Sequence, residues 1–300
     1  MNLALRPSDH VTLALGGGGA RGVAHLGAIE GVLEAGITIN RIAGISIGSI
    51  AGALYAFEPE IHSLQHRTLE FLQSPDFQSH HRRLFGTRPA TEDESTGGVF
   101  SWYHRLTGYV RGNRLVHQVV SRKSLLSGDV LEDVVAQLLP DADLADAQVP
   151  LRVIAVDLLS GRRIVFDHGP LRTLVRASAS LPGIFPPVEH EGMLLCDIGV
   201  FNSLPVLSAR LCAEDFILAV DVSSELKPIS HCDTALDVLM RMDEIGEAQF
   251  RSHVEQSADL IIRVNVADTE WYDFSRPEEV LAAGLAAARS TLGTSSAVAG

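Results

Sequence analysis

The segment Gly44-Ile45-Ser46-Ile47-Gly48 places a serine between two glycines, each two residues away. This G-x-S-x-G spacing suits a sharp strand-to-helix turn that exposes a serine hydroxyl for attack on an acyl carbonyl. A serine hydroxyl is a weak nucleophile alone, so that chemistry also requires a base and a site for the negative charge of the tetrahedral intermediate. The charge site has a candidate upstream, in Gly16-Gly17-Gly18-Gly19-Ala20-Arg21-Gly22.

The glycine run admits three readings. Gly17 to Gly22 fits G-x-G-x-x-G after a strand and before a helix, the dinucleotide context. That fingerprint also expects an acidic residue about 20 positions on, where Ile39, Asn40, Arg41 and Ile42 stand instead. The Walker-type phosphate loop fails, because no Gly-Lys-Ser/Thr follows. A plain tight turn is the second reading, although four consecutive glycines carry a high cost in backbone entropy. The third is an oxyanion hole: amides without a Cβ beside them, at the start of a helix, favour a developing negative charge. On this reading Gly16 serves the turn and Gly17, Gly18 and Gly19 face the chemistry.

For the base, a Ser-His-Asp triad would place a histidine late in the chain. The late histidines, His231 and His253, fall in a polar loop and within an amphipathic helix. Asp197 follows the apolar run Met193-Leu194-Leu195-Cys196 and precedes Ile198 and Gly199. A carboxylate at the end of a buried strand is costly unless it is used or well bonded, and an aspartate can accept a serine proton directly. A structural turn aspartate is the alternative.

These residues need elements to hold them. Val11 to Leu15 reads as a short buried strand. Leu26, Ile29, Val32 and Leu33 recur at helical spacing, with Gly36 as the stop. Arg41 to Phe57 reads as a strand entering the serine turn and then a small-residue helix. Pro150 to Gly169 contains two β-rich runs about Ser160-Gly161, a hairpin signal. Arg176 to Gly199 begins helical, breaks at Pro182-Gly183 and ends as a strand. Asp215 to Ser223 and Ala258 to Val266 read as two further core strands. Between them, Ala235, Val238, Met242, Ile245, Gln249 and Val254 predict an amphipathic helix, and Leu281 to Leu292 predicts a last one. Strands alternating with helices imply an α/β fold, a three-layer α/β/α sandwich with a mostly parallel central sheet. Consecutive βα turns then share one sheet edge, which brings the glycine run and Ser46 together.

Residues 58 to 125 read differently, as an insertion or lid. His80, His81, Arg82 and Arg83 cluster, read as a solvated loop in preference to a metal or headgroup site. Ala90 to Gly98 is an acidic loop, and Val99 to Leu115 mixes aromatics with arginines, suited to a lid or to a membrane surface. The expectation is a single domain over 1–300.

The chain has 300 residues, 46% hydrophobic, with a net charge of −13. That suits a large core and argues against a nucleic-acid partner, which needs basic neutralisation. Cys196, Cys212 and Cys232 form no disulfide framework and no CxxC metal site, and no metal-ligand cluster is evident, so no metal is expected. No signal peptide or transmembrane run is evident, and the expectation is a cytoplasmic protein with at most transient peripheral membrane contact.

Taken in order, Gly17-Gly18-Gly19-Ala20-Arg21-Gly22, Gly44-Ile45-Ser46-Ile47-Gly48 and Asp197-x-Gly199 resemble the patatin-like phospholipases. So does Ala177-Ser178-Ala179-Ser180-Leu181-Pro182-Gly183-Ile184-Phe185-Pro186-Pro187 ahead of the aspartate. The match covers about residues 11–205. The resemblance implies an acyl hydrolase of lipid or phospholipid esters with a Ser46–Asp197 dyad, an oxyanion hole from Gly17 to Gly19, and no cofactor. Arg21 matches the family's basic position, to brace the loop or meet a phosphate headgroup. Gly22, Gly44, Gly48 and Gly199 support the motifs. Ile198 departs from the family's usual glycine, and a β-branched residue would be unsuited to a positive φ. Two rivals follow: an inactive lipid- or protein-binding module of the same fold, marked by Ile198, and a nucleotide-dependent enzyme using the glycine run.

Overall fold

The computed structural model describes residues 10–85, 124, 126–211, 215–266 and 269–293. One eight-stranded sheet organises them. Its strands are β1 (Val11–Leu15), β2 (Ile39–Ile45), β3 (Leu151–Asp157), β4 (Arg162–Phe166), β5 (Val188–His190), β6 (Met193–Cys196), β7 (Phe216–Asp221) and β8 (Leu260–Arg263). The order is β5-β6-β3-β2-β1-β7-β8, with β4 also paired to β3. β3, β2, β1, β7 and β8 run parallel, and β4, β5 and β6 add antiparallel pairings. The chain therefore lays strands to one side of β1 and later returns to lay β7 and β8 on the other, so a topological switch falls between β1 and β7. Crevices at the C-terminal ends of strands at such a point are where open α/β sheets place their ligands.

The strands alternate their side chains between two cores. Leu13, Leu15, Ile42, Val153, Leu218 and Val220 face one side. There α1 (Ala24–Glu34), α2 (Ile47–Phe57), α3 (Ile61–Gln73), α5 (Asp129–Leu138), α6 (Leu171–Ala179) and α9 (Pro277–Leu292) contribute apolar residues such as Leu26, Ile50, Leu64, Val135, Leu174 and Val280. Ala14, Ala43, Ile45, Ile154, Ile217 and Ala219 face the other side, beneath α7 (Val206–Ala209) and the second half of α8 (Ala235–Glu255). The result is the three-layer α/β/α arrangement that the pattern implied.

Two parts differ from the expectation. Within 58–125, Ile61–Gln73 and Pro75–Phe85 (α4) are helices, and α3 packs Leu64 and Leu72 into the core. His80 to Arg83 thus lie on α4 rather than in a loop: that helix opens with Ser74 Oγ accepting from Phe77 N at 3.2 Å and with Pro75 and Asp76 in its first turn, an ordinary helix start. The stretches 90–98 and 99–115 lie outside the described residues, as does Cys212. The second difference is α8. Its expected apolar stripe packs only at its end, where Val254 is buried; Val238 and Met242 are 48% and 60% exposed. The inward positions are Met240, Glu244, Glu247, Arg251 and Val254, at alternating four- and three-residue steps. Three of these are charged because that face borders a polar cavity, so hydrophobicity alone misassigns the helix orientation. Among the described residues, no helix is long and apolar enough to cross a membrane.

Candidate active site

Ser46 closes β2 and caps α2 with φ 54° and ψ −127°, in backbone space that non-glycine residues seldom occupy. Such strain costs on the order of 1–3 kcal/mol and persists only where the surroundings hold it. Here they do. The Ser46 amide donates to Ser178 Oγ at 3.0 Å, and that hydroxyl donates to the Ile154 carbonyl of β3 at 2.6 Å. The Ser46 carbonyl accepts from Ser49 Oγ at 2.6 Å and from Ser49 N at 2.9 Å. The flanking glycines let backbones meet: a Cβ on Gly44 would stand 2.5 Å from Gly48 O, and one on Gly48 would stand 2.3 Å from Leu15 O.

Asp197 follows β6, and the sheet explains its position. Val153 and Ile154 of β3 pair with both β2 and β4, so those strands hold opposite edges of β3. Val156 and Asp157 pair with both β4 and β6. β6 therefore occupies the edge that β2 leaves when it turns at Ser46, which brings Asp197 over the serine. The Asp197 amide donates to the Ser180 carbonyl at 2.9 Å. The Ala177-to-Ser180 segment thus holds both residues, Ser46 through the Ser178 hydroxyl and Asp197 through the Ser180 carbonyl.

The Asp197 carboxyl is 1% exposed. Its Oδ1 accepts from Gly199 N at 2.6 Å. Oδ2 completes no hydrogen bond among the described residues, yet the Ser46 hydroxyl lies near enough to draw the pKa down. Burial outweighs both donors and pushes the acid up to about 7. Ile198 is not at positive φ, since Ser46 and Glu191 alone are so among described non-glycine residues. Its side chain packs with Ile45, Ile154 and Leu204 in the second core. The departure from the usual glycine is accommodated as core, and the steric ground for treating it as a defect is removed. His231 lies outside the regular elements and His253 is exposed on α8, neither at the site.

The glycine loop is clamped at nearly every peptide. Gly16 N donates to Val220 O at 3.2 Å, and Gly17 N donates to Ser203 O at 2.8 Å. His25 Nε2 lies 2.7 Å from Gly16 O. Arg21 Nε donates to Gly18 O at 3.3 Å, and Ala20 N donates to Trp271 O at 2.5 Å. Gly17, expected among the oxyanion donors, has its N–H committed to Ser203. Its contribution is close packing, with a built Cβ 3.5 Å from Ser46 Cβ. Gly18 N and Gly19 N make no hydrogen bond among the described residues. Gly19 has φ +59° and room for no side chain, since a Cβ would stand 2.1 Å from Trp271 O. Arg21 is buried and braces the loop, with burial lowering its pKa against the pull of Glu270, Asp221 and Glu247. A Cβ on Gly22 would meet Ile47 at 2.3 Å, which seats the loop against the serine turn.

Two cavities meet at Ser46. One is lined by Arg21, Asp197, Ser203, Ser223, Glu247 and Arg251, among others. Around it, Arg251 pairs with Asp221 at 3.1 Å and with Glu247 at 3.2 Å. Burial acts to lower the Arg251 pKa, but these two carboxylates outweigh it and hold it above its ordinary value. The other cavity is apolar, lined by Leu26, Ile50, Ala51, Leu54, Phe71 and Leu131 among others. Gly19, Ser46, Leu181 and Trp271 border both. His25, Ser203 and the polar face of α8 escape a sequence reading. One histidine among twelve, in the first turn of an apolar helix, carries no mark of its role.

The sequence model of the patatin-like phospholipase family matches residues 13–210. An uncharacterized NTE family protein of Mycobacterium tuberculosis is 30% identical over 228 residues, covering 74% of this chain and 51% of that protein. The mouse patatin-like phospholipase domain-containing protein 6 is 31% identical over 217 residues, covering 72% of this chain and 14% of that protein. This chain thus spans about half of the mycobacterial relative and a small part of the mammalian one. Among solved structures, VipD from Legionella pneumophila superposes with a TM-score of 0.51 at 14% identity, over 95% of this chain and 67% of that one. That likeness shows the fold.

Proposed function

Because the chain belongs to the patatin-like phospholipase family, we propose that it is a serine hydrolase of lipid fatty-acyl esters, of phospholipase A type. Ser46 is the nucleophile, Asp197 the base, and the Gly18 and Gly19 amides the oxyanion donors. The observation that carries this reading is the position of Ser46 at the junction of an apolar and a polar cavity. A lipid ester has its scissile carbonyl between an alkyl chain and a polar group. The apolar cavity suits the acyl chain, and the cavity with Arg21, Arg251 and the serines suits the remainder.

Ser46 Oγ attacks the acyl carbonyl as its proton passes to Asp197. The carbonyl oxygen becomes an oxyanion facing Gly18 N and Gly19 N. Collapse expels the alcohol, which takes the proton back from Asp197, and leaves an acyl-Ser46 ester. Water then attacks that ester while Asp197 accepts its proton, and the fatty acid leaves as Ser46 is reprotonated. Each oxyanion donor is worth about 3–4 kcal/mol in comparable sites. The substrate is met at a lipid surface through transient contact.

A fluorophosphonate probe tests the assignment. Wild-type protein should be labelled, and Ser46→Ala should not; a folded wild type that resists labelling overturns the reading. A lipid panel with Ser46→Ala as control then identifies the ester cleaved.

A further inference from the structure

We infer that His25 is a positioning residue for this reaction: its imidazole clamps the Gly16–Gly17 peptide and thereby fixes the plane of the oxyanion loop. The inference rests on the proposed hydrolase reading. His25 lies in the first turn of α1 with 0% exposure and borders neither cavity, so it touches no substrate. Its Nε2 stands 2.7 Å from Gly16 O. A carbonyl only accepts, so Nε2 carries the proton and donates. The other ring nitrogen, Nδ1, is buried with no partner among the described residues. Burial drives the imidazole pKa down to about 4, so the ring is neutral across the working range with its single N–H committed to Gly16.

An unpaired buried nitrogen costs free energy, which a merely space-filling side chain would avoid. The benefit lies in the loop. Glycine gives the amides access to an oxyanion, but the same lack of a Cβ lets each peptide rotate at little steric cost. A planar trans peptide held at both ends cannot rotate. His25 holds the oxygen of the Gly16–Gly17 plane and Ser203 O holds its N–H. Arg21 holds the oxygen of the Gly18–Gly19 plane. The Gly18 N–H belongs to the Gly17–Gly18 plane, which is bounded on either side by these two held planes, and the Gly19 N–H extends from the plane that Arg21 holds. Without His25, one backbone bond alone would hold the first plane, and the Gly16 carbonyl would have to find a new donor.

The test uses p-nitrophenyl butyrate as a soluble ester, with the wild type and Ser46→Ala defining turnover at Ser46. If the wild type itself shows no Ser46-dependent turnover, the hydrolase reading fails, separately from this inference. His25→Phe fills the space without the donor, and His25→Gln returns a donor of similar reach. We expect His25→Phe to fold, to retain KM and to lose about tenfold in kcat, below the ~10²–10³ lost when a donor itself is removed. Its fluorophosphonate labelling rate should fall in parallel, and His25→Gln should recover most of both. Wild-type kcat in folded His25→Phe would overturn the inference, as would a loss confined to KM or a failure of His25→Gln to exceed His25→Phe. If His25→Phe does not fold, His25→Gln is compared with the shorter His25→Asn: a lower kcat in the Asn variant supports the clamp, and equal kcat overturns it.

Discussion

At the scale of single residues, Asp197 sets both a rate and a stability. With its acid raised to about 7 by burial, kcat/KM for a soluble ester should climb with pH through that region as the base ionises. The raised pKa means that the native state favours the neutral acid. The associated stability is fully present below the ordinary carboxylate pKa near 4 and is lost as pH rises through about 7. Asp197→Asn should therefore cut turnover by about 10²–10⁴-fold, yet unfold on the order of 2–4 kcal/mol less readily at pH 8. Paired pH–rate profiles and denaturant titrations would check the two halves. Ser46 and Asp197 stood out in the sequence because each breaks its context, one between glycines and one ending an apolar run. Gly17 shows what spacing leaves open, since it sits in the right loop with its N–H turned to Ser203.

At the scale of elements, Ser178 joins α6, the serine turn and β3 in one chain of hydrogen bonds. Ser178→Ala would leave the Ser46 amide and the Ile154 carbonyl without their present partner, at about 1–3 kcal/mol, and would free the strained turn. Turnover should fall more than the change in melting temperature accounts for. Strands and most helices were legible because short apolar runs and 3.6-residue periods report burial directly. The orientation of α8 was not, because its inward face lines a polar cavity and its outward face keeps apolar side chains. That assignment is checkable by chemical denaturation. Met242→Lys should change stability by no more than about 0.5 kcal/mol. Met240→Lys, at a buried position, should cost about 2 kcal/mol or more.

At the scale of the whole molecule, the apolar cavity meets the polar one at Ser46 and runs from there between α2, α3 and α5, so its far walls can be altered without touching the polar cavity. Ala51 lies on its α2 wall. Ala51→Leu should shift hydrolysis toward shorter acyl chains while butyrate ester turnover stays within about twofold, as a chain-length series would show. No periodicity in the sequence signals this cavity, because it is the space between elements rather than a property of any one. The handover of β3's edge from β2 to β6 puts the two reacting groups on different parts of the sheet. The nucleophile turn sits among the parallel strands, whereas the acid follows an antiparallel one. Asp157 links the β3–β4 hairpin to β6 by accepting from Ser160 Oγ at 2.6 Å and from Leu194 N at 2.9 Å. The base therefore depends on a small antiparallel corner that can open while the parallel sheet stands. Activity should vanish in denaturant before the helical signal falls, and Asp157→Ala should widen that gap: a protein still folded by most measures, in which the chemistry has already come apart.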